Sequence, residues 1–452
     1  MKHSVLRHRR ANRLATALLT LLATVSPLAA GAQLTLDECQ RLARDNYPLL
    51  KQYGLVEQAT DYTVANVRRG YLPQLVLSGQ ASLQSGAPRL PGALADVLQA
   101  NGYDYKGMAK DQYRVVLDLS QVVWDGGDLA ARREVAAAEG RVQKARTTVG
   151  LYDVRRQVDE LFFGILLLDE RLRLNADLQT LLHDNCRKLE QACERGTAMR
   201  SDVDAMRAEY LEARRDRIAL TSAREAYVQM LALFVGRETA AVEELQKPSL
   251  SPPLSGENRR PELELFASRM AQATAQERQL DAGLHPRLSL FAQGYYGYPG
   301  YDMFADMFGR KWSLNGIVGL RLTWDIGRLY TLKNDRRKLD VSRRMVAVEQ
   351  EAFLFGSRLQ SAQESGAVEQ YRQMMAEDEG IIALRASVRQ AAEEKLAHGV
   401  IGVNDLLQEI TRENQARIER SAHEIEMLKS IAGLRHTLNQ PDDAAGQDGQ
   451  TY

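Results

Sequence analysis

The chain repeats itself, and this limits its possible folds more than any other feature. Asn46-Tyr47-Pro48-Leu49-Leu50 resembles Asn258-Arg259-Arg260-Pro261-Glu262-Leu263, and the two prolines are 213 residues apart. Leu72-Pro73-Gln74-Leu75 resembles His285-Pro286-Arg287-Leu288 at the same offset. Val122-Val123-Trp124-Asp125-Gly126-Gly127 matches Leu322-Thr323-Trp324-Asp325-Ile326-Gly327 at an offset of 200, and Arg195-Gly196 through Asp202 matches His398-Gly399 through Asp405 at 203. The polar loop before the Trp-Asp element spans about residues 85–111 in the first half and 299–312 in the second, so one loop insertion accounts for the change of offset. Four landmarks in the same order define two repeats, 33–236 and 261–438, with a Pro- and Ser-rich linker over 237–260.

Each repeat combines two periodicities. In 74–84, Leu75, Leu77, Gly79, Ala81 and Leu83 oppose Gln74, Ser78, Gln80, Ser82 and Gln84, the alternation of a strand with one apolar face. The segments 113–124, 287–298 and 313–324 alternate in the same way. Their 11 or 12 residues suit tilted membrane strands. The aromatic residues at their ends, including Trp124, Trp324, Trp312 and Tyr298, suit an interfacial girdle. The remainder reads as helix, over about 36–71, 126–194 and 199–236 in the first repeat and 261–283, 327–397 and 402–438 in the second. Asp125 and Asp325 can cap long helix starts. Val135, Val142 and Val149, and likewise Leu332, Leu339, Val346 and Phe353, recur every seven residues as in coiled coils. A helix of about 68 residues reaches roughly 100 Å. The expected fold class is therefore an α+β membrane protein with a duplicated plan of two transmembrane strands plus long coiled helices.

Four membrane strands cannot close a barrel, because the smallest known barrels have eight and an open edge in lipid leaves backbone groups unpaired. Such a chain must self-associate. Residues 1–32 read as a secretory signal peptide, with Lys2, Arg7, Arg9, Arg10 and Arg13 ahead of an apolar run and Ala30-Gly31-Ala32 at its end. The tail 439–452 reads as flexible. Lysine plus arginine equals aspartate plus glutamate, 59 each, which gives no sign of a nucleic-acid partner. Cys39, Cys186 and Cys193 are an odd number and read as ordinary thiols. No nucleophile, phosphate loop or metal-spaced histidine pair points to an enzyme, a cofactor or a metal. A periplasm-spanning coiled-coil scaffold without a pore is the alternative expectation.

The start Leu34-Thr35-Leu36-Asp37-Glu38-Cys39, the doubled strand-pair and long-helix plan, and the segments 194–203 and 397–407 resemble the TolC family of outer-membrane efflux proteins. The resemblance covers about 34–440 and implies a homotrimer with a 12-stranded β-barrel and a periplasmic α-helical barrel in the outer membrane. It implies an exit duct for a tripartite efflux or type I secretion system. The partners implied are a periplasmic adaptor (membrane fusion) protein, an inner-membrane pump of RND, ABC or MFS type, and outer-membrane lipid. Gly196, Thr197, Ala198, Gly399, Val400 and Ile401 fall on the tips that dock the adaptor. Asp405 falls on a gate acid, Gln408 replaces the second, and Asp202 with Arg200 lies at the first tip. Leu396 and Ile401 stand where the family has its tyrosine–arginine latch, so that latch is missing or replaced.

Overall fold

The computed structural model describes residues 33–253 and 257–440; the expected signal peptide and most of the tail lie outside the described residues. In chain order the elements are α1 (Leu36–Asn46), α2 (Leu49–Arg68), β1 (Gln74–Leu83), α3 (Gly92–Ala100), β2 (Asp111–Trp124), α4 (Asp128–Glu194), α5 (Arg200–Val235), α6 (Pro261–Ala282), β3 (Arg287–Tyr298), α7 (Met303–Phe308), β4 (Ser313–Thr323), α8 (Arg328–Ala397) and α9 (Val403–Leu438). Where sequence predicts one helix over 36–71, the chain breaks at Tyr47-Pro48, and α1 and α2 belong to different compact units. The polar loops carry two short helices, α3 and α7, that alternation alone does not reveal.

The units cut across the sequence repeats. One comprises residues up to Asn46, 154–252 and 366–433; the other comprises 47–153, 253–365 and the chain from Leu434 on. Each takes pieces of both repeats, because α4 and α8 are long enough to contribute residues to both.

The first unit is helical. Its start is fixed locally: Thr35 Oγ1 accepts from Glu38 N at 3.3 Å while Thr35 N donates to Glu38 Oε2 at 3.3 Å, a reciprocal capping box opening α1. Leu34 pairs in parallel with Leu245 of the linker. At the other end of α1, Asn46 Nδ2 donates to the carbonyls of Leu233 and Phe234, at 3.0 and 3.1 Å. It thereby closes the C-terminus of α5 beside Gly236, whose φ of 69° is left-handed. Phe162, Phe163, Ile165 and Leu231 fill the core at 1% exposure or less. One 18-residue window of α5 reaches a mean hydropathy of 1.2. That helix buries Val228, Leu231, Ala232 and Val235 and pairs Arg224 with Asp169, as a packed helix does.

A buried polar contact ties α1 to α4. Gln40 Nε2 donates to Asp159 Oδ1, and Arg155 Nε donates to Gln40 Oε1 at 3.0 Å. Burial raises the Asp159 carboxyl to about 7, against the lowering effects of Gln40 and Arg155. Cys39, fully buried alongside, is pushed up to about 12 by burial and then by Glu38, so it is an inert thiol. A folded-state pKa above the unfolded one means stability is full below the ordinary aspartate value and is lost as pH rises toward 7. Asp159→Asn should remove that loss. The thermal midpoint measured from pH 4 to 8 should fall in the parent across this window and lose that component in the variant; parallel curves would refute the assignment.

The second unit holds an antiparallel sheet in the order β1-β2-β3-β4. Helix α6 is laced to its neighbours by Arg278–Glu134 to α4 and by Arg269–Glu349, Arg343–Glu277 and Arg336–Asp281 to α8. Phe266 of α6 meets Phe353 of α8 with centroids 5.8 Å apart, which places the predicted seven-residue seam of α8 against α6.

A two-faced sheet and two matched helical tips

The strand register sorts the side chains. Leu75 opposes Leu119, Leu77 opposes Leu117, and Gly79 opposes Val115. Leu117 opposes Gly294 and Val115 opposes Tyr296. Ala292 opposes Val318, Leu290 opposes Leu320, and Leu288 opposes Leu322. Residues directly opposite share a face, so one face is largely apolar across the four strands, interrupted by Asp111, opposite Leu83, and Gln121, opposite Leu290. It is bare: Leu77 and Val318 are each 71% exposed and Leu314 is 82% exposed. The other face carries Gln74, Ser78, Gln80, Ser82, Arg114, Asp118, Gln293, Asn315 and Arg321, with Gln293 Nε2 donating to Asp118 Oδ1 at 2.6 Å. Val76, Val116, Val122, Phe291, Tyr295 and Ile317 interrupt its polarity.

Aromatic residues stand at both ends of the apolar band. Trp312 stacks on Tyr113 with centroids 6.3 Å apart and 13° between planes, and lies 5.3 Å from Tyr296. At the helix end Trp124 and Trp324 are about half exposed, and Trp324 Nε1 donates to Leu284 O at 2.9 Å. From residue 312 to 324 is about 40 Å along a strand at roughly 3.3 Å per residue, or about 30 Å at a membrane-strand tilt, the thickness of a hydrocarbon core. Tyr298, the fourth residue of the expected girdle, is placed differently from the tryptophans. It is only 4% exposed, because the strand-end loops fold over it: Ala109 N donates to its hydroxyl at 3.0 Å, and the hydroxyl reaches Asp306 O at 3.4 Å.

The predicted tips lie in the helical unit and are built alike. Gly196 and Gly399 have φ of 74° and 70°. Thr197 N donates to Ala192 O at 2.8 Å and Val400 N to Lys395 O at 2.9 Å, so each long helix ends in the same glycine turn. Three residues on, Met199 N donates to Asp202 Oδ2 at 3.3 Å and Gly402 N to Asp405 Oδ2 at 3.0 Å. Both predicted gate acids thus cap the following helix, each through one carboxylate oxygen. Asp405, Gln408 and Arg200 are exposed and Asp202 is half-buried. One core of Leu189, Met206, Val403 and Leu406 joins the two turns, with Ala198 and Ile401 packed against it.

Behind the tips lies a charged group that sequence reasoning missed. Arg389 Nε donates to Glu413 Oε2, Arg389 Nη1 to Glu393 Oε1 at 2.7 Å, and Arg417 Nη2 to Glu413 Oε1 at 2.7 Å. Burial of Glu413 raises its pKa, but the hydrogen bonds from Arg389 and Arg417 outweigh that and hold it below the carboxylate range. The Arg389–Glu393 and Glu413–Arg417 spacings of four are visible in sequence, but the Arg389–Glu413 contact between α8 and α9 is not.

No family model matches the chain, and no curated protein matches its sequence. Solved structures do. The outer membrane protein VceC of Vibrio cholerae aligns with a TM-score of 0.66 at 13% identity, covering 89% of this chain and 95% of that one. The Campylobacter jejuni CmeC outer membrane channel aligns at 0.63 and 13%, covering 89% and 85%. The Neisseria gonorrhoeae MtrE outer membrane channel, in its open state, aligns at 0.61 and 15%, covering 89% and 88%. The chain has the outer-membrane channel fold. That fold is the one implied by the resemblance to the TolC family. In this channel fold the two-faced sheet and the matched tips are the parts with exposed, organised chemistry.

Proposed function

We propose that the protein is an outer-membrane exit duct, a homotrimer whose twelve strands close one barrel and whose helices form a periplasmic α-barrel. The observation that carries this reading is the largely apolar, widely exposed face opposite a more polar one, on a four-stranded sheet whose outer strands β1 and β4 have no further strand partner among the described residues. Lipid covers the apolar face and water fills the polar side. Because β1 and β4 run in opposite directions, repeating the sheet around an axis pairs β4 with the next β1 antiparallel, which leaves no edge.

A second feature supports self-association. Helix α8 has an outward stripe, Val341, Met345, Val348, Phe355 and Leu359, at three-, four- and seven-residue steps and 54% to 63% exposed. It lies two residues on from the seam that meets α6, hence on the opposite side of the helix. A helix with two opposed seams packs between two neighbours, as in a closed helical layer. The 67- and 70-residue helices α4 and α8, each followed by a glycine turn, a capping acid and a 36-residue helix, support a duplicated plan.

The duct serves a tripartite efflux or type I secretion system. The tips at Gly196–Ala198 and Gly399–Ile401 dock a periplasmic adaptor protein, which joins an inner-membrane pump. Three copies of Asp405, each with one oxygen free, form a ring that attracts cations and repels itself. Single-channel recording in planar bilayers tests the reading: discrete conductance steps are expected, and their absence at any protein concentration would count against a pore. In the same recordings Asp405→Ala should weaken block by divalent cations several-fold, whereas unchanged block removes Asp405 from the gate.

A further inference from the structure

Taking that reading of the polar face as lumenal, we propose that its helix end is an anion-binding site built from Arg69, Arg287 and Arg321, and that it takes solutes carrying clustered phosphate or carboxylate groups.

The site starts from an imbalance of charge. A cleft of about 350 Å³ in the sheet-bearing unit is lined by Arg69, Gln74, Asp125, Asp128, Arg132 and Arg287, among others. Its acids are occupied. Asp125 is 7% exposed and accepts from Gly127 N at 3.0 Å, Leu129 N at 2.7 Å and the Tyr71 hydroxyl at 3.3 Å, which uses it as the cap of α4. Asp128 pairs with Arg132 at 2.8 Å.

The remaining cations have no such partner. Arg69 donates only to the Asn66 amide oxygen, at 3.4 Å, and among the described residues neither Arg69 nor Arg287 meets a carboxylate. Arg321 joins them through the strand register. Arg287 opposes Thr323 and Ser289 opposes Arg321, so the two arginines are diagonal neighbours on the polar face, about 7–8 Å apart at the backbone. Arg321 lies 4.7 Å from the centroid of the Phe291 ring, on the same face, and has no ion pair among the described residues. The acid within the strands on that face, Asp118, is already hydrogen-bonded by Gln293.

Guanidinium groups that present forked donors in a fixed array suit phosphate and carboxylate, which they bind bidentately. Three protomers repeat the array around the lumen. A twelve-stranded barrel has a backbone radius of roughly 12 Å at ordinary strand spacing and tilt, comparable with the Debye length of about 10 Å at 0.1 M salt and well beyond about 3 Å at 1 M. The cationic rim therefore acts across the lumen at low salt and fades at high salt. Its arginines belong to the sheet-bearing unit and the acidic tip residues to the helical one, so the duct carries an anion-attracting segment as well as a cation-attracting one.

The test uses the full-length protein in detergent, with tripolyphosphate as the probe in a calorimetric titration. Saturable binding is expected at 0.1 M salt and its loss at 1 M. Arg69→Gln combined with Arg287→Gln should raise Kd at least tenfold, and Arg321→Gln about threefold, with helical circular dichroism unchanged. Arg215→Gln, an exposed arginine on α5, should leave Kd as it is. Absence of saturable binding by the parent protein, or an equal Kd in the double variant, overturns the site. Bilayer recording separates this from the duct reading. Conductance without tripolyphosphate binding sinks the anion site alone, whereas binding without conductance upholds the site and sinks the pore.

Discussion

Val318→Arg should prevent the protein from accumulating in the outer membrane, while Ile317→Arg, one residue away, should be tolerated. Both side chains are bare in the isolated chain, 71% and 47% exposed. A soluble sheet would treat the two substitutions alike. The register separates them: Val318 opposes Ala292 on the apolar face and Ile317 opposes Gln293 on the polar face. Both lie near the middle of β4. An arginine in lipid at the bilayer midplane costs about 2–4 kcal/mol, and a trimer bears that cost three times. An arginine facing a watery lumen stays hydrated. Quantitative blotting of outer-membrane fractions, with heat-modifiable gel migration as the sign of a closed barrel, reads the difference. Equal yields for the two variants would remove the lipid assignment of the apolar face.

The second large effect is expected in the helical unit. Arg389→Met should destabilise it by about 3 kcal/mol, the low end for breaking one partner out of a buried ion pair, because Arg417 still reaches Glu413. The Arg389 and Glu413 side chains are 14% and 7% exposed, so solvent screens them little. The sign with pH follows from the depressed Glu413 carboxyl. Its contribution is present above the ordinary glutamate pKa and is lost as pH falls through the lower folded-state value. The variant should therefore show its largest deficit near neutrality and approach the parent in acid. Loss of helical ellipticity on heating, with protease cleavage at the tips as a local probe, measures both. A variant as stable as its parent at pH 7 would show that the network adds nothing.

Much of the fold was legible before the structure because its signals are local. Strand alternation in QLVLSGQASLQ needs only the two-residue pleat, and the register later brought Leu75, Leu119, Ala292 and Val318 to one face. The tip glycines were visible because a left-handed residue at a helix end favours glycine. What escaped was non-local. Tyr47-Pro48 falls inside what the sequence reads as one helix, yet Asn46 leaves α1 to cap α5, 187 residues away. Tyr298 has the composition of a belt residue, but its cover comes from two loops whose folding leaves no periodic trace. Glu413 owes its buried pairing to Arg389, which comes from α8, 24 residues away. Arg69 lies in the turn after α2, Arg287 on β3 and Arg321 on β4, and only pairing of the strands and placement of that turn gather them. The two repeats were clear as sequence, yet they are not the compact units, because a helix of 67 or 70 residues outgrows any single core.

The central claim is that this sheet is one third of a closed barrel. The native mass of the full-length protein, extracted from outer membranes in detergent and measured by light scattering with the detergent subtracted, tests it most directly. The account predicts three times the mature subunit mass. A monomer recovered from the soluble periplasm would contradict it, since four strands with two open edges cannot span a bilayer alone.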